Sequence, residues 1–140
     1  MNIFADTSGL FALLVNNDFM HIRAKQNFQY FAENNIQLVT SSFVLVETTA
    51  LLQRRIGLEP VNDFNLKILP LLEIIWVDSI WYTKAVQRLL AQNDREISLV
   101  DYLSFEIMEV LQIDCAFAFD KHFEENGFTT YDAGTSLRFC

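Results

Sequence analysis

The 140-residue sequence contains few of the residues that interrupt or cross-link a chain: four glycines, two prolines and two cysteines. Two cysteines are too few for a small domain built on disulfide bonds, and neither has a second Cys or His at the spacing of a zinc site. The scarcity of Gly and Pro leaves no flexible linker that would separate two domains. We therefore expect a single domain over residues 1–140, a length typical of one domain.

Basic residues are also scarce, with 10 Lys and Arg against 18 Asp and Glu and a formal net charge of −8. This balance argues against a protein that holds nucleic acid by a large positive surface, but it does not exclude an enzyme whose acids bind metal. No run of about 18 apolar residues occurs, so we expect no membrane span. The first residues, Met1–Asp6, lack the basic segment of a signal peptide, and we therefore expect a cytoplasmic protein.

Apolar residues make up 51% of the chain, and short apolar runs alternate with longer amphipathic segments. The short runs predict four strands and a weaker fifth: Ile3–Ala5, Ile36–Val39, Ile74–Val77, Cys115–Phe119 and Phe128–Tyr131. The amphipathic segments predict five helices: Phe19–Asn34, Ser42–Arg55, Val61–Leu72, Ser79–Gln92 and Ser98–Gln112. Strands that are apolar throughout are typical of sheets covered on both faces. This alternation predicts an α/β fold, a three-layer sandwich around a mostly parallel sheet.

Two aspartates directly follow predicted strands: Asp6 follows the first and Asp120 the fourth. In an open parallel sheet, ligands bind beyond the carboxyl ends of the strands, so both side chains could belong to one site. Each could equally be an ordinary turn or helix-capping residue. The sequence around either aspartate alone does not decide between these two interpretations.

Glu47 lies inside the apolar arc of a predicted helix. At 3.6 residues per turn it falls between Phe43 and Leu51. A carboxylate facing a core is unfavourable unless it is paired or bound to a metal ion. Glu47 is therefore a candidate metal ligand, and a buried salt bridge to Arg54 or Arg55 is the alternative.

Asp101 has a structural and a functional interpretation of equal weight. It stands three residues after Ser98, which is the spacing of a helix-capping box, and an acid in the first turn suits the helix dipole. However, it shares its side of the helix with Phe105 and Met108, which turns it toward protein rather than water. The remaining acids, Glu96 among them, lie on polar faces or in loops or near element ends, and we expect surface, cap or turn positions for them.

The sequence offers little for nucleophilic catalysis. The two histidines, His21 and His122, stand near no nucleophile motif, and no Gly-rich phosphate-binding loop is present. Ser8 is better explained as a helix cap or as a hydrogen-bond donor to the neighbouring acid.

Five segments in this order resemble the PIN-domain nucleases, most of all the small ribonuclease toxins of the VapC type. The segments run from Asp6 to Leu13, Asp18 to Ala24, Thr40 to Glu47, Ser98 to Phe105, and Phe117 to Phe123 followed by Gly127-Phe128. Each segment is a weak signal alone, but their order makes a specific one, and the resemblance extends over essentially the whole chain. The resemblance implies a five-stranded parallel sheet in a PIN-like α/β/α sandwich.

The resemblance also implies the site and its partners. Four acids would converge to hold one or two Mg²⁺ or Mn²⁺ ions, with Glu47 bound directly or through water: Asp6, Glu47, Asp101 and Asp120. Three hydroxyl side chains would support these acids by hydrogen bonds: Thr7, Ser8 and Ser98. Toxin members of the family cleave RNA, dimerise and are silenced by a small antitoxin protein.

These observations predict a metal-dependent endoribonuclease, the toxin of a type II toxin–antitoxin pair. The excess of acids is unusual for an enzyme that binds RNA, and Arg23 and Lys121 are the residues we expect to contact substrate. One alternative is a catalytically weak PIN-like module that binds RNA or protein. Another is an acid-dependent α/β phosphatase, although the second Asp usual in such enzymes would stand where this chain has Ser8.

Overall fold

The computed structural model of the chain describes residues 1–132, in which strands and helices alternate. The strands are β1 (Asn2–Ala5), β2 (Gln37–Ser41), β3 (Leu72–Ile75), β4 (Cys115–Phe117) and β5 (Thr129–Thr130). The α-helices are α1 (Thr7–Leu14), α2 (His21–Glu33), α3 (Ser42–Arg55), α4 (Leu58–Asp63), α5 (Ser79–Gln92), α6 (Leu99–Val110) and α7 (His122–Glu125). A π-helical turn, Phe64–Ile68, and a 3-10 turn, Leu69–Leu71, continue α4.

The five strands form one parallel sheet in the order β3-β2-β1-β4-β5. The central strand β1 pairs Phe4 with Val39 of β2 and with Ala116 of β4. Parallel crossovers are right-handed, which places α1 to α4 on one face and α5 to α7 on the other. Packing agrees, because α1 contacts α2 and α3, whereas α5 contacts α6. The predicted α/β sandwich with a parallel five-stranded sheet is confirmed.

The core lies along the two central strands, β1 and β4. Ile3, Phe4 and Phe117 are completely buried. The ring of Phe117 meets Phe31 of α2 edge-on, with 5.4 Å between ring centroids. The ends of these two strands are therefore held by tight packing, and side chains just beyond them start from a rigid base.

Helix α1 is absent from the sequence prediction. It begins directly after β1, where the Asp6 side chain caps it by accepting a hydrogen bond from Ser8 N at 3.1 Å. Thr, Ser and Gly in its first turn are weak helix formers, so the pattern gave no signal. Gly9 is required by packing, because a Cβ there would lie 2.4 Å from the carbonyl oxygen of Phe117.

The segment between α3 and α5 departs furthest from the prediction. The predicted helix Val61–Leu72 is instead the sequence of α4, the π-helical turn and the 3-10 turn, which contains Pro70. Proline cannot donate a backbone hydrogen bond inside a helix, which explains the tight turn there. Strand β3 follows at once and lies two residues earlier than the predicted Ile74–Val77.

Strands β4 and β5 are shorter than the predicted Cys115–Phe119 and Phe128–Tyr131. Residues 118 and 119 follow the last residue of β4 and lie outside its register with β1 and β5. Within residues 1–132, the helices lack the combination of length and apolarity needed to cross a membrane. A single domain over residues 1–140 stays a prediction, since its last eight residues lie outside the described part of the chain.

Candidate metal and active site

An open cavity of about 330 Å³ lies beyond the carboxyl ends of β1 and β4. Its lining consists of acids, hydroxyl side chains, one leucine and one histidine: Asp6, Glu47, Glu96, Asp101, Asp120, Thr7, Ser8, Ser98, Leu51 and His122. The four acids of the predicted site therefore line one cavity, along with the three predicted hydroxyl residues. Of these acids, Asp101 and Asp120 belong to the group of described residues whose ligand atoms lie close enough to share one ion, and Asp6 and Glu47 lie outside that group. Strand ends supply two of the acids, and α3 and α6 supply the other two.

Asp6 is the most deeply enclosed of the four acids, with 3% of its surface exposed. Its Oδ2 accepts hydrogen bonds from Ser8 N at 3.1 Å and from Ser8 Oγ at 2.7 Å. Burial raises the pKa of Asp6 from 3.8 to about 7, against the lowering effect of these hydrogen bonds and with the added repulsion of Asp101 and Glu47. Without a cation nearby, the protonated form of this carboxyl group is therefore favoured to a higher pH than in an exposed aspartate.

Ser8 connects the two central strands at the site. Its Oγ donates to Asp6 and accepts a hydrogen bond from Phe119 N at 2.9 Å. Asp6 N also donates to the carbonyl oxygen of Phe117 at 3.1 Å. The hydroxyl of Thr48 donates to Thr7 Oγ1 at 3.2 Å, which ties α1 to the helix that carries Glu47. These hydroxyl groups fix the positions of the segments on which the acids stand.

Asp101 takes part in the cap of α6 and also lines the cavity, so it has both of the roles that the sequence left open. Its backbone N–H donates to Ser98 Oγ at 3.1 Å, so Ser98 caps α6 as predicted. The Asp101 carboxylate nevertheless faces the cavity and is 7% exposed. Burial raises its pKa to about 6, partly opposed by a hydrogen bond from His122 and reinforced by the charge of Asp120.

His122 is a residue of this cavity that sequence reasoning missed. Its Nδ1 lies 3.1 Å from Asp101 Oδ2 and 3.2 Å from Asp120 Oδ1. Although burial lowers the pKa of His122, the hydrogen bond to Asp101 and the charges of Asp120 and Asp101 outweigh it and raise the pKa. The sequence contained one signal for this position, because His122 stands two residues after Asp120. That spacing alone does not show whether the imidazole turns back toward the aspartate, as it does here.

Glu47 is half-buried at the cavity rather than facing the core. The Glu47 carboxylate is therefore less buried than the core-facing position that the sequence predicted. The helix turns Val44 and Thr48 fully inward and leaves Glu47 at the edge of the apolar arc. Among the described residues, no ion pair joins Glu47 to an arginine, so the salt-bridge alternative has no support.

Arg23 and Lys121, the predicted substrate-binding residues, lie together but outside this cavity. They line a neighbouring cavity of about 460 Å³ with the aromatic side chains of Phe119 and Tyr131. Arg23 Nη1 forms an exposed ion pair with Asp132 Oδ2 at 3.2 Å. Because Lys121 directly follows Asp120, the two cavities are adjacent along the same edge of the sheet.

The acid-lined cavity contains a group that could hold a metal ion. One ligand atom from each of three residues lies within 4.8 Å of the others: Asp101, Asp120 and His122. Carboxylate oxygens are the ligands that hard divalent ions prefer. Clustered carboxylates with raised pKa values are also typical of sites that a cation stabilises.

A strand-end cluster of acids on a parallel sheet is the arrangement expected of a nuclease of the PIN type. Residues 3–129 match the family model described as the PIN domain, and the chain belongs to that family. Over 127 residues it is 34% identical to the 23S rRNA-specific endonuclease VapC20 of Mycobacterium tuberculosis, covering 90% of this chain and 95% of that protein.

Solved structures agree with this assignment. The crystal structure of Mycobacterium tuberculosis VapC20, a sarcin-ricin loop cleaving toxin, gives a TM-score of 0.82 at 31% identity, covering 93% of this chain and 98% of that one. VapBC2 from Rickettsia felis, bound to a promoter DNA fragment, gives 0.69 at 16% identity, covering 94% and 98%. FitAcB from Neisseria gonorrhoeae gives 0.66 at 13% identity, covering 94% and 96%. The last two show the fold alone.

Proposed function

We propose that this chain is a metal-dependent endoribonuclease that hydrolyses RNA phosphodiester bonds and serves as the toxin of a type II toxin–antitoxin pair. The observation that carries the proposal is the convergence of Asp6, Glu47, Asp101 and Asp120 on one cavity in a chain of the PIN family. The 34% identity to a named 23S rRNA endonuclease supports RNA as the substrate.

Mg²⁺ or Mn²⁺, as one or two ions, is the proposed cofactor. Asp6, Asp101 and Asp120 would bind directly, and Glu47 would bind directly or through water. A bound divalent ion supplies an activated water and polarises the phosphoryl oxygen. The donor set fits such an ion, because burial raises the pKa of Asp6 and Asp101, and a nearby cation would restore their ionised forms.

Thr7, Ser8 and Ser98 have a supporting role in this proposal. Ser8 Oγ donates to Asp6 and fixes the direction of its Oδ2. Ser98 fixes the first turn of α6 and with it the base of the Asp101 side chain. Ligands held by their own hydrogen bonds reorganise little when an ion or substrate arrives.

Substrate RNA would extend from the acids toward Lys121 and Arg23. The neighbouring cavity offers both basic residues and the rings of Phe119 and Tyr131. Single-stranded nucleic acid binds to surfaces that combine positive charge with aromatic side chains. With a net charge of −8, affinity would depend on the few basic residues nearby and on the metal.

A small antitoxin and a second copy of the chain are the proposed protein partners, and the proposed location is the cytoplasm. The 31% identity to VapC20, which is described as a sarcin-ricin loop cleaving toxin, supports an antitoxin partner. Large apolar side chains stand on the surface, among them Phe19 at 97% and Trp76 at 69% exposure. A protein partner would cover side chains of this size and exposure.

RNA cleavage by the purified chain tests the enzymatic proposal. We expect cleavage with Mg²⁺ or Mn²⁺, none with EDTA, and loss in Asp101→Asn with the circular dichroism of the fold unchanged. Glu73→Gln, an exposed acid on β3, is the matched control and should cleave normally. Full cleavage in EDTA or in Asp101→Asn would contradict the proposal.

The same samples distinguish the alternative functions. A binding module without catalysis would leave RNA intact and need show no heat when Mn²⁺ is added. A phosphatase would release phosphate from a small phosphomonoester without cleaving RNA. The structure offers the phosphatase little support, because Ser8 stands at the position of the second Asp and its hydroxyl is engaged by Asp6 and Phe119.

A further inference from the structure

We propose that His122 is a nitrogen ligand of the metal ion, bound through Nδ1, and that it gives the site a preference for Mn²⁺ over Mg²⁺. This inference rests on the proposed function, since it concerns the metal site of that nuclease. It adds a nitrogen atom to a donor set that would otherwise consist of oxygen alone.

The geometry of His122 directs its ring at the two acids most suited to share an ion with it. Nδ1 lies 3.1 Å from Asp101 Oδ2 and 3.2 Å from Asp120 Oδ1. One ligand atom of each of these three residues lies within 4.8 Å of the others, so a single ion can reach all three. The side chain is 21% exposed, so most of it is shielded from solvent.

The backbone around His122 holds the ring in this direction. His122 N donates to Asp120 Oδ1 at 2.9 Å, and the His122 carbonyl oxygen accepts from Asn126 Nδ2 at 2.8 Å. The next residue, Phe123, is completely buried and stacks edge-on against Phe105 of α6 at 5.1 Å between centroids. The start of α7 is therefore anchored at several points, and the imidazole has a rigid base.

His122 is also the only basic side chain among the described residues that line this cavity; the others are acids, hydroxyl residues and one leucine. Among the lining residues of the described part of the chain, no lysine or arginine neutralises the carboxylates. Within that part, the imidazole nitrogen is consequently the donor atom that distinguishes ions by their affinity for nitrogen.

The preference of each ion for nitrogen or oxygen ligands predicts that the site selects Mn²⁺ over Mg²⁺. Mg²⁺ is a hard ion that takes oxygen ligands and gives up water reluctantly. First-row transition ions accept imidazole nitrogen, and their affinity rises along the series that begins with Mn²⁺. Binding through Nδ1 would use the lone pair of that nitrogen: a neutral ring would carry its proton on Nε2 instead of Nδ1, and a protonated ring would release its Nδ1 proton to solvent.

A different role for His122 would be to orient Asp101 and Asp120 by donating a hydrogen bond. His122→Asn separates the two roles, because the asparagine amide can still donate from close to the position of Nδ1 but has no nitrogen lone pair for a metal. His21→Asn is the matched control. His21 is the second histidine of the chain, and its Nδ1 pairs with the carbonyl oxygen of Ala12 at 2.8 Å.

The test is electron spin-echo modulation of the full chain loaded with Mn²⁺, together with calorimetric titration of Mn²⁺ and Mg²⁺ at one fixed pH. We expect the ¹⁴N coupling of a coordinated imidazole in the parent chain and in His21→Asn, and its loss in His122→Asn. We also expect His122→Asn to weaken Mn²⁺ binding by about tenfold or more and Mg²⁺ binding by about threefold or less.

Two results would overturn the inference. One is the absence of a ¹⁴N coupling in a Mn²⁺-loaded chain that cleaves RNA, which would leave the proposed function standing. The other is an equal loss of Mn²⁺ and Mg²⁺ affinity in His122→Asn, which would assign the residue to positioning alone. A ¹⁴N coupling in a sample that cannot cleave RNA would refute the nuclease instead and leave the ligand assignment intact.

Discussion

The four acids of the cavity fall into two pairs with different surroundings. Asp6 and Asp101 are buried, and both have pKa values raised mainly by that burial. Glu47 is half-buried, and the Asp120 side chain is 29% exposed. Residues of the same chemical type, gathered in one cavity, therefore meet two electrostatic environments.

The difference indicates a division of roles within the proposed site. A buried carboxylate is unfavourable in its charged form unless a cation is near, so Asp6 and Asp101 should depend most on the metal. The more exposed pair keeps contact with water and can reach an arriving substrate. The following predictions test whether the buried pair and the more exposed pair differ in function.

Asp6→Asn should have the largest effect. The asparagine oxygen can accept both hydrogen bonds from Ser8 but cannot supply a charge to the metal. We expect RNA cleavage to fall on the order of a thousandfold, with metal-free thermal stability unchanged or higher because a buried acid is removed. Cleavage assays and thermal unfolding measure the two effects, and a normally active Asp6→Asn variant would refute the role of the buried pair.

Glu47→Gln should have a smaller effect on catalysis. Because Glu47 is half-buried and is the candidate for binding through water, we expect cleavage to fall by roughly ten- to a hundredfold, with Mn²⁺ binding weakened less than in Asp6→Asn. Single-turnover cleavage and calorimetry on both variants make the comparison. Equal losses in the two variants would show that the distinction between the pairs has no functional meaning.

Metal-free stability should decrease as the pH rises through the neutral range. The native pKa of Asp6, about 7, lies above its ordinary value of 3.8, so the native state binds more protons than the unfolded state between these values. The free energy of unfolding therefore falls as pH rises across that window, and the raised pKa of Asp101 acts in the same direction.

Thermal unfolding at about pH 5 and about pH 8, with and without Mn²⁺, measures this effect. Added Mn²⁺ should stabilise the chain more at the higher pH, because metal binding requires ionised carboxylates. Asp6→Asn is the control and should show a weaker pH dependence when metal-free. The raised pKa of Asp6 would be contradicted by one outcome in EDTA. In that outcome, stability rises from pH 5 to pH 8, and it rises more in the parent chain than in Asp6→Asn.

Lys121→Ala should have the smallest effect. Lys121 is exposed and lies outside the acid-lined cavity, so its proposed contact is with the RNA backbone. We expect KM to rise by about two- to fivefold, with kcat little changed and a weaker salt dependence. Lys67→Ala, which removes an exposed lysine paired with Asp63, is the control. A fall in kcat alone would argue against a role in substrate binding.

The sequence predicted the central part of the fold well because its signals there are local. Strand β1 and the acid that follows it come from one apolar run, and β1 differs from the predicted Ile3–Ala5 by a single residue. Two separate patterns predicted the two roles of Asp101. Its spacing from Ser98 indicated the helix cap, and the helical period that it shares with Phe105 and Met108 indicated that it faces inward.

What the sequence could not provide depends on tertiary packing. Helix α1 exists because Gly9 fits against the Phe117 carbonyl, a contact between residues far apart in the chain. The position of His122 depends on the direction of one side chain, which no periodicity encodes. Apolar spacing alone does not distinguish α-, π- and 3-10-helical turns, so the sequence predicted one helix where the segment with Pro70 forms all three.

The order of the chain has a consequence for its synthesis. Among the described strands β1 is made before the others, but its neighbour β4 and Asp120 come more than a hundred residues later, and β1 pairs with β4 in the centre of the sheet. A nascent chain that has emerged only as far as α6 therefore lacks the strand that positions the last acid. The proposed site is therefore assembled only after β4 and Asp120 have been made, and a shorter nascent chain holds three of its four acids without the strand end that completes it.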